Sequence, residues 1–132
     1  MDAFVQPLYE LADFDAIIRQ LKKPGIVQVS GCLDSQKAHF TNGLLREFPF
    51  RLIVAENDLK AKAFYEDFRL YDPEVLYYPA RDLIFYQADI HGNLLTRQRI
   101  QVLRALLERE EVTIVTSIDS CLDCLVPLAV WK

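Results

Sequence analysis

The chain has 132 residues, 52% hydrophobic and 26% charged, which is enough apolar material for one globular domain with a core. Its formal net charge of -4 argues against a strongly basic nucleic-acid surface. No apolar run approaches the roughly 20 residues of a membrane helix. The start MDAFVQPLYE lacks a basic stretch followed by an apolar one, so it is not a signal peptide. We therefore expect a cytoplasmic protein.

The cysteines support the same compartment. Their number is odd and their spacing gives no disulfide framework, so we interpret Cys32, Cys121 and Cys124 as reduced thiols. Cys121 and Cys124 form C-x-x-C, but a structural zinc site needs four ligands. The other candidate ligands, Cys32, His39 and His91, are scattered, and neither histidine has an evident catalytic partner. We predict no metal site and no catalytic residue, with redox or metal roles for the C-x-x-C pair as the alternatives.

The first third of the chain predicts a helix and then a strand. Apolar residues recur every three or four positions at Phe14, Ile17, Ile18 and Leu21. This spacing predicts an amphipathic helix over 13–22, with Asp13 as its N-cap. Pro24 and Gly25 end it. The β-branched run 26–30 then predicts a strand that leads into Gly31.

The remaining chain continues the alternation. We predict helices over 35–48, from Asn57 or Asp58 to 68, and over 94–109, with a short last helix capped by Ser117 or Asp119. Strands are predicted over 51–55, 75–78 and 112–116. The nearly all-apolar strand 51–55 predicts cover on both faces. Buried positions are expected at Ala38, Leu44, Leu45 and Phe48 on one helix and at Leu59, Ala63 and Phe64 on the next. The stretch Ala80–Asn93 has no clear period and is predicted to be a long loop with a functional role.

Strands alternating with helices predict an α/β fold with a parallel sheet of about four strands. Ligands of such sheets bind at the carboxyl ends of the strands. Those ends are predicted at Ser30-Gly31, Ala55-Glu56, Tyr78-Pro79 and Thr116-Ser117.

The segment Gly31–Ala38 partly matches a phosphate loop, G-x-x-x-x-G-K-[ST], placed between a strand and a helix. Gly31 and Lys37 fall on the first glycine and the lysine. Gln36 stands at the second glycine, and Ala38 stands where a hydroxyl would bind magnesium. Asp34 adds a negative charge where phosphate oxygens would lie. The loop is therefore predicted to be degenerate, with no cofactor bound; a chance match of Gly and Lys is the alternative.

Three further groups have a functional and a plain structural interpretation. Lys37 either holds an anion at the helix N-terminus or is a solvated first-turn lysine. The arginines 97, 99, 104 and 109 either face a partner or form a solvated helix face. The aromatics 77, 78, 85 and 86 either stack on bases or pack in the core and loop. We expect the structural interpretation in each case.

Several segments, taken in order, resemble one family. They are Gln28–Gly31, Tyr78–Asp82, Phe85–Asp89, Arg97–Leu103, and Thr113–Ser117 with Leu122 after it. In this order they resemble the N-terminal region of the bacterial transcription-repair coupling factors (Mfd). The resemblance covers nearly the whole chain and rests on several weakly specific motifs. That region is similar to the first domain of UvrB, in which the corresponding phosphate loop is intact.

The resemblance implies a P-loop-NTPase-like domain with a degenerate loop inside a larger protein. That parent would use ATP and magnesium in separate motor domains to translocate on DNA, displace stalled RNA polymerase and recruit UvrA. On this interpretation residues 1–126 form the N-terminal part of a UvrB-like domain and 127–132 begin the connection to a following domain, which would carry most UvrA contacts. Its partners would be the parent's other domains, with a homodimer of the chain as a further option, and no membrane. The alternative is an independent small α/β protein that binds a nucleotide or another anion through Gly31–Lys37.

Overall fold

A computed structural model describes residues 4–80 and 91–122, with side chains from residue 94 onward in the second range. Within these ranges the chain is an α/β fold with one parallel three-stranded sheet in the order β1-β3-β2. A 3-10 helix, Gln6–Glu10, comes first. The α-helices are α1 Phe14–Leu21, α2 Asp34–Leu45, α3 Asp58–Phe68, α4 His91–Glu108 and α5 Ile118–Cys121. The strands are β1 Phe50–Ala55, β2 Leu76–Tyr78 and β3 Val112–Ser117.

The sheet is centred on β3, which pairs with both other strands. Phe50 of β1 lies opposite Val112, and Leu76 of β2 lies opposite Ile114. Every residue of β3 is buried. A continuous apolar strand is expected where both faces are covered, and β3 has that environment because it lies between two neighbours and under helices on both sides.

Two helical layers cover the sheet. On one face, α2 and α3 contribute Ala38, Ala61 and Phe68 to a buried cluster with Val115 of β3. On the other face, α4 contributes two buried residues, Val102 and Ala105. They pack against Tyr78 of β2 and against Val112 and Ile114 of β3. The helix α4 thus covers β2 and β3.

A second, smaller core joins the N-terminal segment to α2. Leu8, Phe14 and Leu44 belong to its buried cluster. Gly43 of α2 allows this close approach, because a Cβ at that position would lie 2.4 Å from Leu8 Cδ1 and 3.0 Å from Phe14 Cζ. The 3-10 helix and α1 therefore pack directly on the backbone of α2.

The predicted strand 26–30 is not formed. Its first residue, Ile26, is 99% exposed, and Val29 is also exposed. A strand preference in β-branched residues reflects packing on a pleated, half-buried surface and not an intrinsic backbone preference. None of the three strands in the described ranges pairs with 26–30, so the sheet has three strands there where the sequence predicted four.

Two predictions of burial are also wrong. Strand β1 is not covered on both faces, since exposed and half-buried residues alternate along it. On α3, Leu59 and Ala63 are exposed, whereas Ala61 and Phe68 are the buried positions and Phe64 is half-buried. The number of apolar residues in a strand or helix does not show which of its faces packs against another element.

The helix boundaries agree with the prediction to within a few residues. Asn57 caps α3 by accepting from Lys60 N at 2.9 Å, and Ser117 caps α5 by accepting from Ser120 N at 3.3 Å. Asp13 occupies the N-cap position of α1 without a side-chain cap bond. The helix α4 begins at His91, inside the predicted loop Ala80–Asn93, and residues 81–90 lie outside the described ranges. No helix in those ranges is long and apolar enough to cross a membrane.

Candidate phosphate-loop site

The turn before α2 keeps one feature of a phosphate loop. Gly31 has φ +88°, a left-handed conformation that side chains other than glycine rarely adopt. No atom outside its immediate neighbours lies within 4 Å of the position a Cβ would occupy. The glycine at the first position of the motif is thus required by the backbone conformation and not by crowding.

The lysine of the motif is paired within its own turn. Lys37 Nζ lies 2.5 Å from Asp34 Oδ1, with both side chains on the surface. The hydrogen bond from Lys37, reinforced by its charge, lowers the pKa of Asp34 below its usual range. Asp34 therefore stays ionised and provides the negative charge that a phosphate would otherwise bring to Lys37.

The residue at the second glycine position also closes the turn. Gln36 Oε1 accepts from the backbone N–H of Leu33 at 3.4 Å. In an intact phosphate loop, backbone N–H groups of this turn point at phosphate oxygens. Here the Gln36 side chain is already hydrogen-bonded to one such group.

The hydroxyl position of the motif faces the protein interior. Ala38 is 2% exposed and packs in the cluster that contains Ala61 and Val115. A methyl group there has no lone pair for magnesium.

A second lysine on this side is also paired with an acid. Lys60 of α3 donates to Glu56, which follows the carboxyl end of β1. This bond lowers the pKa of Glu56 and raises that of Lys60, and the charge of Asp34 raises the Lys60 pKa further. Asp34 thus lies within electrostatic reach of both lysines. The surface beside the loop combines two cations with two anions and is close to neutral.

A cavity of about 490 Å³ lies between the loop and the N-terminal segment. Its lining includes Gly31, Cys32 and Gln36 from the loop side and Phe14 and Phe40 from the smaller core. His39 also lines it; its Nε2 donates to the Phe4 carbonyl. The cavity is mainly apolar, and Lys37 is not among its lining residues.

The aromatic residues at the carboxyl end of β2 pack into the protein. Tyr77 is half-buried, packs against Tyr65 with the two ring centres 5.3 Å apart and the rings tilted by 33°, and donates from its hydroxyl to Asp58 O at 3.5 Å. Burial, followed by the interaction with Asp58, raises the Tyr77 pKa above its ordinary value. Tyr78 is buried. The packing interpretation is confirmed for these two residues, whereas Phe85 and Tyr86 lie outside the described ranges.

One of the four arginines departs from the predicted solvated face. Arg99 is 7% exposed, its guanidinium carbon lies 4.2 Å from the centre of the Tyr78 ring, and its Nη1 donates to Pro79 O at 2.8 Å. Arg97, Arg104 and Arg109 are exposed, as predicted. Arg99 lies on the sheet-facing side of α4, which the sequence did not indicate because arginine is rarely buried.

Neither of the two cysteines that the structure describes forms a disulfide. Cys32 is half-buried and Cys121 exposed, both as free thiols. Cys124 and the side chain of His91 lie outside the described residues. Among those that are described, no group of three or more His, Cys, Asp and Glu side chains could hold a metal ion.

Two features of the site have a signal in the sequence. An acid three residues before a lysine is a helical pairing distance, which fits Asp34 and Lys37. A glutamine three residues after the N-cap residue of a helix is a capping pattern, which fits Gln36 and the N-cap Leu33. The burial of Arg99 has no such signal.

A scan of protein-family models, a search of curated proteins and a search of solved structures each returned no match to this chain. The resemblance to transcription-repair coupling factors therefore rests on the sequence segments given above.

Proposed function

We propose that this chain is a non-catalytic UvrB-like module of a transcription-repair coupling factor, built on a P-loop-like domain that no longer binds nucleotide. The parent protein would be an ATP-dependent DNA translocase that displaces stalled RNA polymerase and recruits UvrA for nucleotide-excision repair. The module itself would act in the cytoplasm through contacts with other protein domains. The α/β sheet and the left-handed Gly31 before a helix are compatible with this proposal.

The observation that carries the non-catalytic part is the internal pairing of the loop. Asp34 neutralises Lys37, and Gln36 is bonded to Leu33 N–H. An entering phosphate would have to displace both contacts and approach a carboxylate, with no hydroxyl at position 38 to hold magnesium. Each of these costs opposes nucleotide binding.

Titration calorimetry with ATP and magnesium tests this part. We expect no heat of binding and no ATP hydrolysis by the 132-residue chain. Micromolar, magnesium-dependent affinity would refute the non-catalytic proposal. The variant Lys37→Ala is the matched control, since any affinity that survives it does not come from this loop.

The second candidate is an independent α/β protein that binds a small molecule at the same loop. The observation in its favour is the cavity of about 490 Å³ beside Gly31 and Gln36, a size within the usual range for small-molecule sites. Binding there would be driven by apolar contact, because Phe14 and Phe40 line the cavity and Lys37 does not. Ligand binding that Phe40→Ala abolishes and Lys37→Ala leaves intact would favour this candidate.

The gene distinguishes the two candidates without a binding assay. A reading frame that continues past codon 132 into intact helicase motifs supports the coupling-factor module. A stop codon at that point supports the independent protein.

A further inference from the structure

Strand β1 has one backbone edge that no described residue pairs with. Its other edge faces β3, and Val112 N donates to Pro49 O at 2.8 Å across that side. Along a strand, the N–H and C=O of successive residues point alternately to opposite edges. Since the C=O of Pro49 points toward β3, the backbone N–H and C=O groups of Arg51, Ile53 and Ala55 do so as well. The N–H and C=O groups of the intervening residues point away from the sheet, toward the open edge.

Those intervening residues also expose their side chains. Phe50, Leu52 and Val54 are 58%, 61% and 45% exposed, respectively. They lie on the α4 side of the sheet, but α4 packs over β2 and β3 and leaves β1 uncovered. Natural edge strands are usually protected by charged residues, proline or a bulge. The sequence FRLIVA has no proline, its pairing with β3 is continuous, and its one charged residue, Arg51, points to the opposite face.

We propose that β1 pairs antiparallel with β1 of a second copy of this chain, on a two-fold axis at Leu52. This register places Leu52 opposite its own counterpart and Phe50 opposite Val54. All three residues have outward backbone groups, so each facing pair can exchange both of its N–H···O bonds. The exposed apolar side chains of the two copies then lie next to one another on one continuous sheet face.

Self-pairing fits this edge because a two-fold interface needs one surface that complements itself. The three residues with outward backbone groups lie symmetrically about Leu52, so the edges of two antiparallel copies match each other. The area sets the strength: each side chain offers on the order of 100 Å² when fully exposed, and about half of it is exposed here. The two copies therefore bury at most on the order of 300 Å² of apolar side chain, because the outer sides of these side chains stay exposed on the joined sheet, and this is far below the roughly 1,600 Å² of a standard interface. We infer a weak dimer that forms at high protein concentration.

Charge gives the dimer a recognisable salt dependence. Each copy carries a formal net charge of -4, so the copies repel one another, while the pairing edge itself is uncharged. Salt screens the repulsion. Association should therefore strengthen as salt rises, in contrast to an interface held by ion pairs. This inference concerns the sheet edge alone and does not depend on the proposed function.

Sedimentation equilibrium of the full 132-residue chain over a concentration series tests the proposal. Leu52→Lys should weaken association by about tenfold or more, since a lysine on the edge faces its own copy across the axis. Leu70→Lys is the matched control, because Leu70 is 77% exposed but lies in the turn after α3 and is not part of β1. The control should self-associate like the wild type. Urea unfolding of both variants checks that the fold is unchanged.

A cross-link tests the register. Facing residues of a hydrogen-bonded antiparallel pair lie about 5.5 Å apart at Cα, which suits a disulfide. Oxidised Leu52→Cys should give a covalent dimer linked through position 52, identified by mass spectrometry against oxidised wild type, whereas Leu70→Cys should give none through position 70. A wild type that stays monomeric up to about millimolar concentration, equal weakening by both lysine variants, or no link through position 52 would each overturn the proposal.

Discussion

Lys37 and Asp34 form an ion pair 2.5 Å long on the first turn of α2, in the segment where a phosphate loop would hold its ligand. Because both side chains are exposed, the pair contributes little to the stability of the fold. Its importance lies in the neutralised charge: the lysine that would attract a phosphate is already next to a carboxylate of its own chain. An acid between the glycine and the lysine of such a motif therefore competes with a phosphate for the lysine.

The first prediction concerns the hydroxyl position. Ala38→Thr restores the motif residue but adds a hydroxyl and a methyl group at a site that is 2% exposed and packed in a cluster with Ala61 and Val115. We expect a loss of about 1–3 kcal/mol in the free energy of unfolding, from overpacking and an unsatisfied buried hydroxyl. Urea denaturation measures it.

Ala63→Thr is the control, because Ala63 lies on the exposed side of α3 and should lose only the small difference in helix propensity. An Ala38→Thr variant as stable as the wild type would contradict the burial of position 38.

The second prediction compares two arginines on α4. Arg99→Ala removes the stacking over Tyr78 and the bond to Pro79 O, and should cost about 2–4 kcal/mol in the free energy of unfolding. Arg104→Ala removes an exposed pair with Glu108 and should cost less than about 0.5 kcal/mol. Chemical denaturation of both variants gives the difference. Equal losses would mean that Arg99 is solvated, as its sequence context suggested.

How far the sequence could predict the fold is clearest from two segments of similar composition. The run Val112–Thr116 was predicted and found, and it is buried because it pairs with β1 and β2. The run 26–30 has the same β-branched character, yet it forms no strand. Local composition sets what a segment can become, whereas pairing depends on neighbours distant in sequence, which one sequence does not reveal.

The site divides in the same way. The departures from the phosphate-loop pattern at Gln36 and Ala38 are visible in the sequence residue by residue. The pairing of Asp34 with Lys37 follows helical spacing and was accessible too. The burial of Arg99 and the exposed face of β1 depend on where α4 crosses the sheet, which is a tertiary property.

The third prediction concerns alkaline pH. The folded protein raises the Tyr77 pKa above its ordinary value of 10.0, mainly through burial. A raised pKa in the folded state means that the stabilisation is fully present below pH 10 and is lost as pH rises through the folded value. Tyr77→Phe cannot ionise, so its stability should fall less than that of the wild type above pH 10. Urea denaturation at pH 8 to 11 tests this, and parallel curves would show that Tyr77 ionises as easily in the folded state as in the unfolded one.

The last prediction concerns DNA. Two exposed arginines, 97 and 104, lie on α4 and a third, Arg109, follows its last residue, which could suggest a basic face, but Arg104 pairs with Glu108 and Arg109 pairs with Glu74. Non-specific affinity comes from lysine and arginine side chains that neutralise phosphates and release counterions. A chain with net charge -4, in which Arg104 and Arg109 already face acids, should bind duplex DNA with a dissociation constant weaker than about 10⁻⁶ M at roughly 150 mM salt.

Fluorescence anisotropy with a labelled duplex measures this affinity, and a double variant, Glu108→Gln with Glu74→Gln, provides the contrast. Removing the two acids frees both arginines and changes the net charge by two units, so the variant should bind more tightly than the wild type, with a steeper dependence on salt. Sub-micromolar binding by the wild type would contradict the charge argument. Identical salt slopes for the two proteins would show that these arginines do not contact phosphate, and that any residual binding arises elsewhere on the chain.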